Sequence, residues 1–212
     1  MMKIVPKTPN QVLYKRLLEN KHRPVILATG PAGTGKTLMA CYTGAEKIAL
    51  GEYKRIVMTR PAVSVDEQHG FLPGALERKM EPWTRPMFDC LRKYYSQKEI
   101  DLLTKDKRIE ICPLAYMRGR TFDESWIIAD EMQNATPNQM QMVLTRIGYD
   151  SKLIVAGDPD QYDKGFQLNG ISDLTRRLDM YESDVISQVY FTEADQMRNP
   201  VINDILRLFD AK

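Results

Sequence analysis

The 212-residue chain has little of what disulfide frameworks and metal centres need: three cysteines (Cys41, Cys90, Cys112) and two histidines. The cysteines lie far apart and form no C-x-x-C pair. That argues against a disulfide scaffold or a zinc site and fits a reducing, cytoplasmic setting. No apolar run approaches the ~18–20 residues a membrane-spanning helix requires. The first residues, Met1-Met2-Lys3-Ile4-Val5-Pro6, have no apolar stretch behind the lysine, so secretion is not expected. A strong charge excess is also missing. A net charge of +2 and a pI near 8.3 permit a nucleic-acid partner without demanding one, since dedicated binding domains often exceed a pI of ~9. Internal repeats, low-complexity tracts and polar linkers are absent, which predicts one compact domain over residues 1–212.

What is present has the balance of an ordinary globular protein, with 43% hydrophobic and 27% charged residues. Short apolar runs rich in β-branched residues recur at Val25–Thr29, Arg55–Arg60, Arg108–Cys112, Trp126–Asp130, Leu153–Gly157 and Val185–Phe191. Apolar residues at consecutive positions predict strands covered on both faces, as in a parallel sheet. Helical patterns fall between them: one opening at Thr8-Pro9-Asn10, one over Lys36–Leu50, one over Lys79–Ser96. A further one is capped by Thr136-Pro137 and runs through Met140, Val143, Leu144 and Ile147. The alternation predicts an α/β fold, a mainly parallel sheet with helices on both faces.

Gly30-Pro31-Ala32-Gly33-Thr34-Gly35-Lys36-Thr37 matches G-x-x-x-x-G-K-[ST] after a strand and at the start of a helix. Such a loop turns backbone N–H groups onto phosphate oxygens and adds the positive end of the helix. Lys36 is placed for the β- and γ-phosphates of ATP and the Thr37 hydroxyl for Mg²⁺, with Leu38 completing the candidate nucleotide contacts. Asp130 and Glu131 end a buried strand, where Asp130 would hold Mg²⁺ and Glu131 would orient and deprotonate the attacking water. That pair argues against a small-molecule kinase, for which a water-activating base would waste ATP. Gln161, in Gly157-Asp158-Pro159-Asp160-Gln161, can contact the γ-phosphate and report its loss, although the sequence also suits a plain β-turn. Gln11 can read the donor and acceptor edge of adenine, or be an ordinary surface amide. Arg198, in Asp195-Gln196-Met197-Arg198-Asn199-Pro200, is a candidate finger for the departing phosphoryl group, or a surface arginine.

Other stretches carry a family resemblance. Arg60-Pro61-Ala62-Val63, Gly70-Phe71-Leu72-Pro73-Gly74, Pro113 to Phe122, Asp130-Glu131-Met132-Gln133-Asn134 and Leu144-Thr145-Arg146-Ile147-Gly148 resemble the signatures of PhoH-like proteins. The likeness extends from about Gln11 to Ile205. It implies a core similar to the first motor domain of superfamily 1 helicases, in an ATP-binding, often ring-forming family linked to RNA metabolism. It matches Gln11 to the Q motif, Asp130 and Glu131 to the Walker B pair, Gln161 to the third helicase motif and Arg198 to the late Asp-x-x-Arg-x-Pro arginine. The chain departs from the pattern at Ser64-Val65-Asp66, where many relatives carry Glu-x-Gly, at Asp160, where Thr is common, and at Asn199, where His is common.

With one motor domain, a finger at Arg198 would act on a neighbouring subunit's ATP, which predicts a closed ring, by resemblance a hexamer. RNA or single-stranded DNA would meet Arg60, Ser64, Tyr116, Arg118 and Arg120, through phosphate contacts and base stacking. Two readings stand at this point. One is an ATP-driven translocase or helicase; the other is an ATP-dependent switch or scaffold for a partner such as an RNA-processing nuclease.

Overall fold

The computed structural model describes residues 4–61, 85–161, 169–197 and 201. Six strands form one sheet: β1 (Val25–Thr29), β2 (Arg55–Thr59), β3 (Ile109–Ile111), β4 (Ser125–Ala129), β5 (Lys152–Gly157) and β6 (Ile186–Tyr190). Every described pairing is parallel, in the order β3-β2-β4-β5-β1-β6. Helices α1 (Pro9–Glu19), α2 (Lys36–Ala49), α3 (Gln97–Lys105), α4 (Pro137–Leu144) and α5 (Gly170–Met180) alternate with the strands, together with a helical stretch at 85–91.

The strands read as continuous apolar runs because both faces are covered. Along β1, Ile26 and Ala28 point into one core with Tyr14, Met39, Ile48 and Trp126, while Val25 and Leu27 point into the other with Met140, Val143, Ile171 and Leu174. The pleat's two-residue period sends alternate side chains to opposite faces. All five β1 residues are buried, and each fully buried Ile or Leu stabilises the fold by roughly 1.5–3 kcal/mol. This is the doubly covered α/β arrangement expected from the sequence, a RecA-like sheet.

Local chemistry sets the helix ends. Thr8 caps α1 by accepting from Gln11 N at 3.2 Å, with Pro9 in the first turn. At the other end Lys152 Nζ reaches from β5 to the carbonyls of Leu17 and Asn20, both at 2.7 Å, adding a cationic donor to the backbone N–H that each already accepts. Thr136 and Gln139 form a capping box on α4.

The described residues differ from the sequence reading in three places. The pattern drawn over Lys79–Ser96 is helical at 85–91 and then breaks, because Ser96 and Glu99 form a capping box that starts α3 afresh; residues 79–84 lie outside the described residues. Helix α4 stops at Leu144 rather than running to Ile147. The chain there leaves the helix to bridge Phe122, with Phe122 N donating to Arg146 O and Gly148 N to Phe122 O. Neither α3 nor α5 was anticipated, although Ser96-x-x-Glu99 and the Asn169 cap on α5 are readable start signals.

The strand order positions the site. Strand β5 lies between β1 and β4, so the C-terminal ends of three neighbouring parallel strands converge on one rim of the sheet. The loops leaving those ends carry Gly30–Gly35, Asp130-Glu131 and Asp158–Gln161. Open α/β sheets bind ligands at this rim, where successive connections leave in opposite directions.

Candidate nucleotide site

The loop between β1 and α2 is fastened to the adjoining strands. Gly30 N donates to Gly157 O at 3.2 Å, and Phe191 N donates to Thr29 O at 2.7 Å. Gly30 has φ 126°, and a Cβ there would collide with the carbonyl of Phe191. No L side chain fits this point, so the loop's first glycine is required both by its backbone and by its neighbour. Gly35 precedes α2 in the left-handed region, and Lys36 opens the helix.

Lys36 is almost wholly buried. Its ammonium group donates to the carbonyls of Gly30 at 2.5 Å and Pro31 at 2.8 Å and to Thr34 Oγ1 at 3.3 Å, so its charge sits within the curl of the loop. Next to it, Thr37 Oγ1 donates to Asp130 Oδ1 at 2.8 Å. The Asp130 carboxyl is pushed up from its ordinary range by burial and by the adjacent Glu131 charge. The Thr37 hydrogen bond and the Arg60 charge pull in the opposite direction. A buried carboxylate under that pressure, beside a hydroxyl, is a fitting partner for a hard divalent cation. Among the described residues no group of three or more His, Cys, Asp or Glu side chains could hold a metal by itself. This donor set suits Mg²⁺ in particular, which is commonly held by one or two protein oxygens together with substrate phosphates and water.

Glu131 follows directly and adopts a left-handed backbone, φ 52° and ψ 36°, that is uncommon for a non-glycine residue. Both of its carboxylate oxygens are engaged: Oε1 pairs with Arg60 Nη2 at 3.1 Å, and Oε2 accepts from Gln133 Nε2 at 2.6 Å. Gln133 is buried, and its Oε1 accepts from Asp158 N at 3.2 Å, so one amide joins Glu131 to the end of β5. A Cβ on Gly157 would collide with that same oxygen and with Ile171. Beyond it, the Asp158 carboxylate accepts from Asp160 N at 3.1 Å, and Gln161 N donates to Asp158 O at 3.1 Å. Turn and site coexist here: the Gly157–Gln161 segment is an Asx turn, and it delivers Gln161 to the cleft.

The cleft measures about 760 Å³, within the usual size of a small-molecule site. Gln11, Ala32, Gly33, Gly35, Lys36, Thr37, Leu38, Asp130, Glu131 and Gln161 line it, joined by Ile4, Val5, Met39, Cys90 and Met197. Gln11 is a buried wall residue and not a surface amide. Its Oε1 accepts from Lys7 N at 2.8 Å, and its Nε2 donates to Thr34 O at 3.1 Å and to Asp195 O at 3.4 Å.

Asp195 organises this wall. Its buried carboxylate accepts from Asn10 Nδ2 at 2.8 Å, from Thr192 N at 2.8 Å, from Thr192 Oγ1 at 3.2 Å and from Thr8 Oγ1. Burial alone would push its pKa up, yet these donors outweigh it and hold the carboxyl below its usual range. The segment that follows reaches the phosphate loop, where Met197 N donates to Gly33 O at 3.0 Å. Arg198 itself lies outside the described residues.

The candidate nucleic-acid residues separate into different settings. Arg60 is mostly buried in the site, against Glu131. Arg120 pairs with Glu110 and stacks over the Phe122 ring at 4.5 Å. Tyr116 and Arg118 are exposed, on and just after a short 3-10 turn (Leu114–Met117) that follows β3. Ser64 lies outside the described residues. The sequence reading missed the roles of Gln133 and Asp195, each two or three residues from a residue it did select. No helix among the described residues is long and apolar enough to cross a membrane.

A family model described as PhoH-like protein matches residues 3–210. A PhoH-like protein of Synechocystis is 40% identical over 205 residues, covering 96% of this chain and 61% of the relative. One from Bacillus subtilis is 41% identical over 193 residues, 90% of this chain and 59% of the relative. Protein PhoH of Escherichia coli K12 is 37% identical over 210 residues, 97% and 58% respectively. The chain thus spans about three-fifths of the length of these relatives. A parallel sheet with its phosphate loop, acidic strand end and Asx turn on one rim, matched along nearly the whole chain, makes this protein a member of the PhoH-like family.

Proposed function

We propose that the chain hydrolyses ATP with Mg²⁺ and couples turnover to RNA or single-stranded DNA. The observation that carries this reading is the Thr37–Asp130 hydrogen bond, which brings the hydroxyl of the phosphate loop to the acidic end of β4, with Glu131 immediately beside it. Bound Mg²⁺ would neutralise charge on the β- and γ-phosphates. Lys36 exchanges its loop carbonyls for phosphate oxygens, and the loop's N–H groups cradle the chain of phosphates. Glu131, once free of one of its two partners, takes the proton of the attacking water. Gln161 stands at the cleft to sense the γ-phosphate, and its tie to Asp158 passes the loss of that phosphate to β5. Gln11 would meet the adenine by exchanging its 3.4 Å bond to Asp195 O, the longest of its three.

The proposal extends to assembly. With a single motor domain in the chain, a finger at Arg198 would act on a neighbouring subunit's ATP across a head-to-tail interface. We place the active form in a ring, a hexamer by family resemblance. Tyr116 and Arg118 supply an exposed aromatic and a cation for the polymer on the sheet rim.

The test is ATP turnover by the chain and by Glu131→Gln, each with and without RNA or single-stranded DNA. The reading expects polymer-stimulated hydrolysis that Glu131→Gln abolishes while ATP binding persists. Normal hydrolysis by Glu131→Gln would overturn the catalytic assignment. ATP-dependent capture of a nuclease without polymer stimulation would favour the switch or scaffold. A strictly monomeric protein with full activity would remove the ring.

A further inference from the structure

We infer that Arg60 is a latch on the catalytic carboxylate, released when the phosphodiester backbone of a single-stranded nucleic acid takes the guanidinium in place of Glu131. The inference rests on the hydrolytic reading above. It deepens that reading by assigning one residue to the coupling between polymer and ATP.

Three features of the site converge on it. Glu131 has one oxygen on Arg60 Nη2 at 3.1 Å and the other on Gln133 Nε2 at 2.6 Å. A general base must offer a lone pair to water. A carboxylate with a guanidinium on one oxygen and an amide on the other has both oxygens turned toward its partners instead of toward water. The two anchors differ in kind. Gln133 is buried and tied to Asp158 N, so it is a fixed part of the β4–β5 floor. Arg60 is 19% exposed in its side chain, directly after the last residue of β2, and its fork suits a phosphate as well as a carboxylate. Finally, Glu131 holds a left-handed backbone, and a residue kept in a sparsely populated conformation by specific partners can change state when one partner leaves.

A phosphodiester is the competitor that this chemistry selects. It is an anion with bidentate acceptor geometry, it cannot itself act as the base, and a polymer of such groups binds along a rim of cations. Exchange leaves Glu131 on Gln133 alone, with one oxygen free toward water. Arg60 is therefore a positioning residue, acting on the reaction through Glu131.

The experiment compares steady-state ATP turnover by the wild type, Arg60→Ala, Arg60→Gln and Arg60→Lys, with and without poly(U) across a salt series. The latch predicts that Arg60→Ala and Arg60→Gln raise polymer-free kcat by about threefold to tenfold, leave KM for ATP unchanged and lose most of the stimulation. Arg60→Lys, with charge but no fork, should fall between them and the wild type. The slope of log affinity for poly(U) against log salt should shrink by about one contact in Arg60→Ala. Polymer-free kcat that falls or stays unchanged in both neutral variants, while the wild type is stimulated, overturns the latch and leaves the hydrolytic reading intact. An active wild type that poly(U) does not stimulate overturns the phosphodiester as the releasing group. A wild type with no turnover in either condition overturns the hydrolytic reading, and the latch with it. Should Arg60→Ala not fold, Arg60→Gln carries the same prediction.

Discussion

Gln133 donates to Glu131 at 2.6 Å and, through its other amide atom, accepts from the backbone of Asp158, so the acidic end of β4 and the turn after β5 share one buried side chain. A base at the end of one strand and a sensor at the end of the next can thereby move together. Removing the amide should uncouple them. Gln133→Ala is expected to lower kcat for ATP by about tenfold to a hundredfold with little change in nucleotide affinity. It should also destabilise the fold by about 1–3 kcal/mol, because Asp158 N loses its buried partner. Single-turnover ATPase and thermal unfolding read the two effects. Gly157→Ala pushes on the same oxygen and should reproduce both losses.

Asp130 carries an opposition between stability and function. Burial and the Glu131 charge disfavour its ionised form, so without a cation the ionised carboxylate weakens the fold. A carboxyl with a raised folded value costs stability above that value, and the cost disappears as pH falls and the group protonates. Asp130→Asn should therefore melt higher than wild type at neutral pH in the presence of EDTA. The same variant should need at least about tenfold more Mg²⁺ for hydrolysis. Melting at equal temperature with and without the carboxylate would contradict the burial argument.

The opposite sign applies to Asp195. Its carboxyl is held below the usual range, so its contribution is fully present above the unfolded value and is lost as pH falls through the folded one. Asp195→Asn should flatten the acid limb of the stability profile below about pH 4. Asp195→Ala, which strands Asn10, Thr8 and Thr192, should cost about 2–4 kcal/mol and weaken nucleotide binding, because the Gln11 wall loosens. Denaturant titrations between pH 3 and 7 would check it.

Lys152 supplies a prediction on the alkaline side. Burial first, and the Lys47 charge second, lower its ammonium to about 8. A base depressed in the folded state costs stability while it must stay charged, below about pH 8. The fold should become more stable as pH rises from there toward the ordinary lysine value near 10.4. Lys152→Met should remove this rise between pH 8 and 9.5. It should also shorten the protection of the last turn of α1 in hydrogen exchange, since the Leu17 and Asn20 carbonyls lose their cationic donor.

Much of the molecule was legible in its residues because the signals are local. Continuous apolar runs mark strands covered on both faces, and a glycine-rich loop between a strand and a helix marks a phosphate cradle. Gln11 was selected for its chemistry, but its burial was not readable, because the wall that buries it includes Asp195, 184 residues further on. Helix α5 was missed although Asn169 caps it, since its sequence GISDLTRRLDM has an apolar stripe of only a few residues.

Residue types and short motifs specify which groups are available: the loop from Gly30, the carboxylates at Asp130 and Glu131, and the turn before Gln161. How these groups are connected follows from the packing of the sheet. Strand β5, paired between β1 and β4, sets the phosphate loop and the acidic pair on either side of Gly157, and the pairing of β2 with β4 brings Arg60 beside Glu131. Sequence separation explains the difference. Strand order and the ion pair between residues 60 and 131 arise from packing across the whole sheet, and no spacing along the chain encodes them.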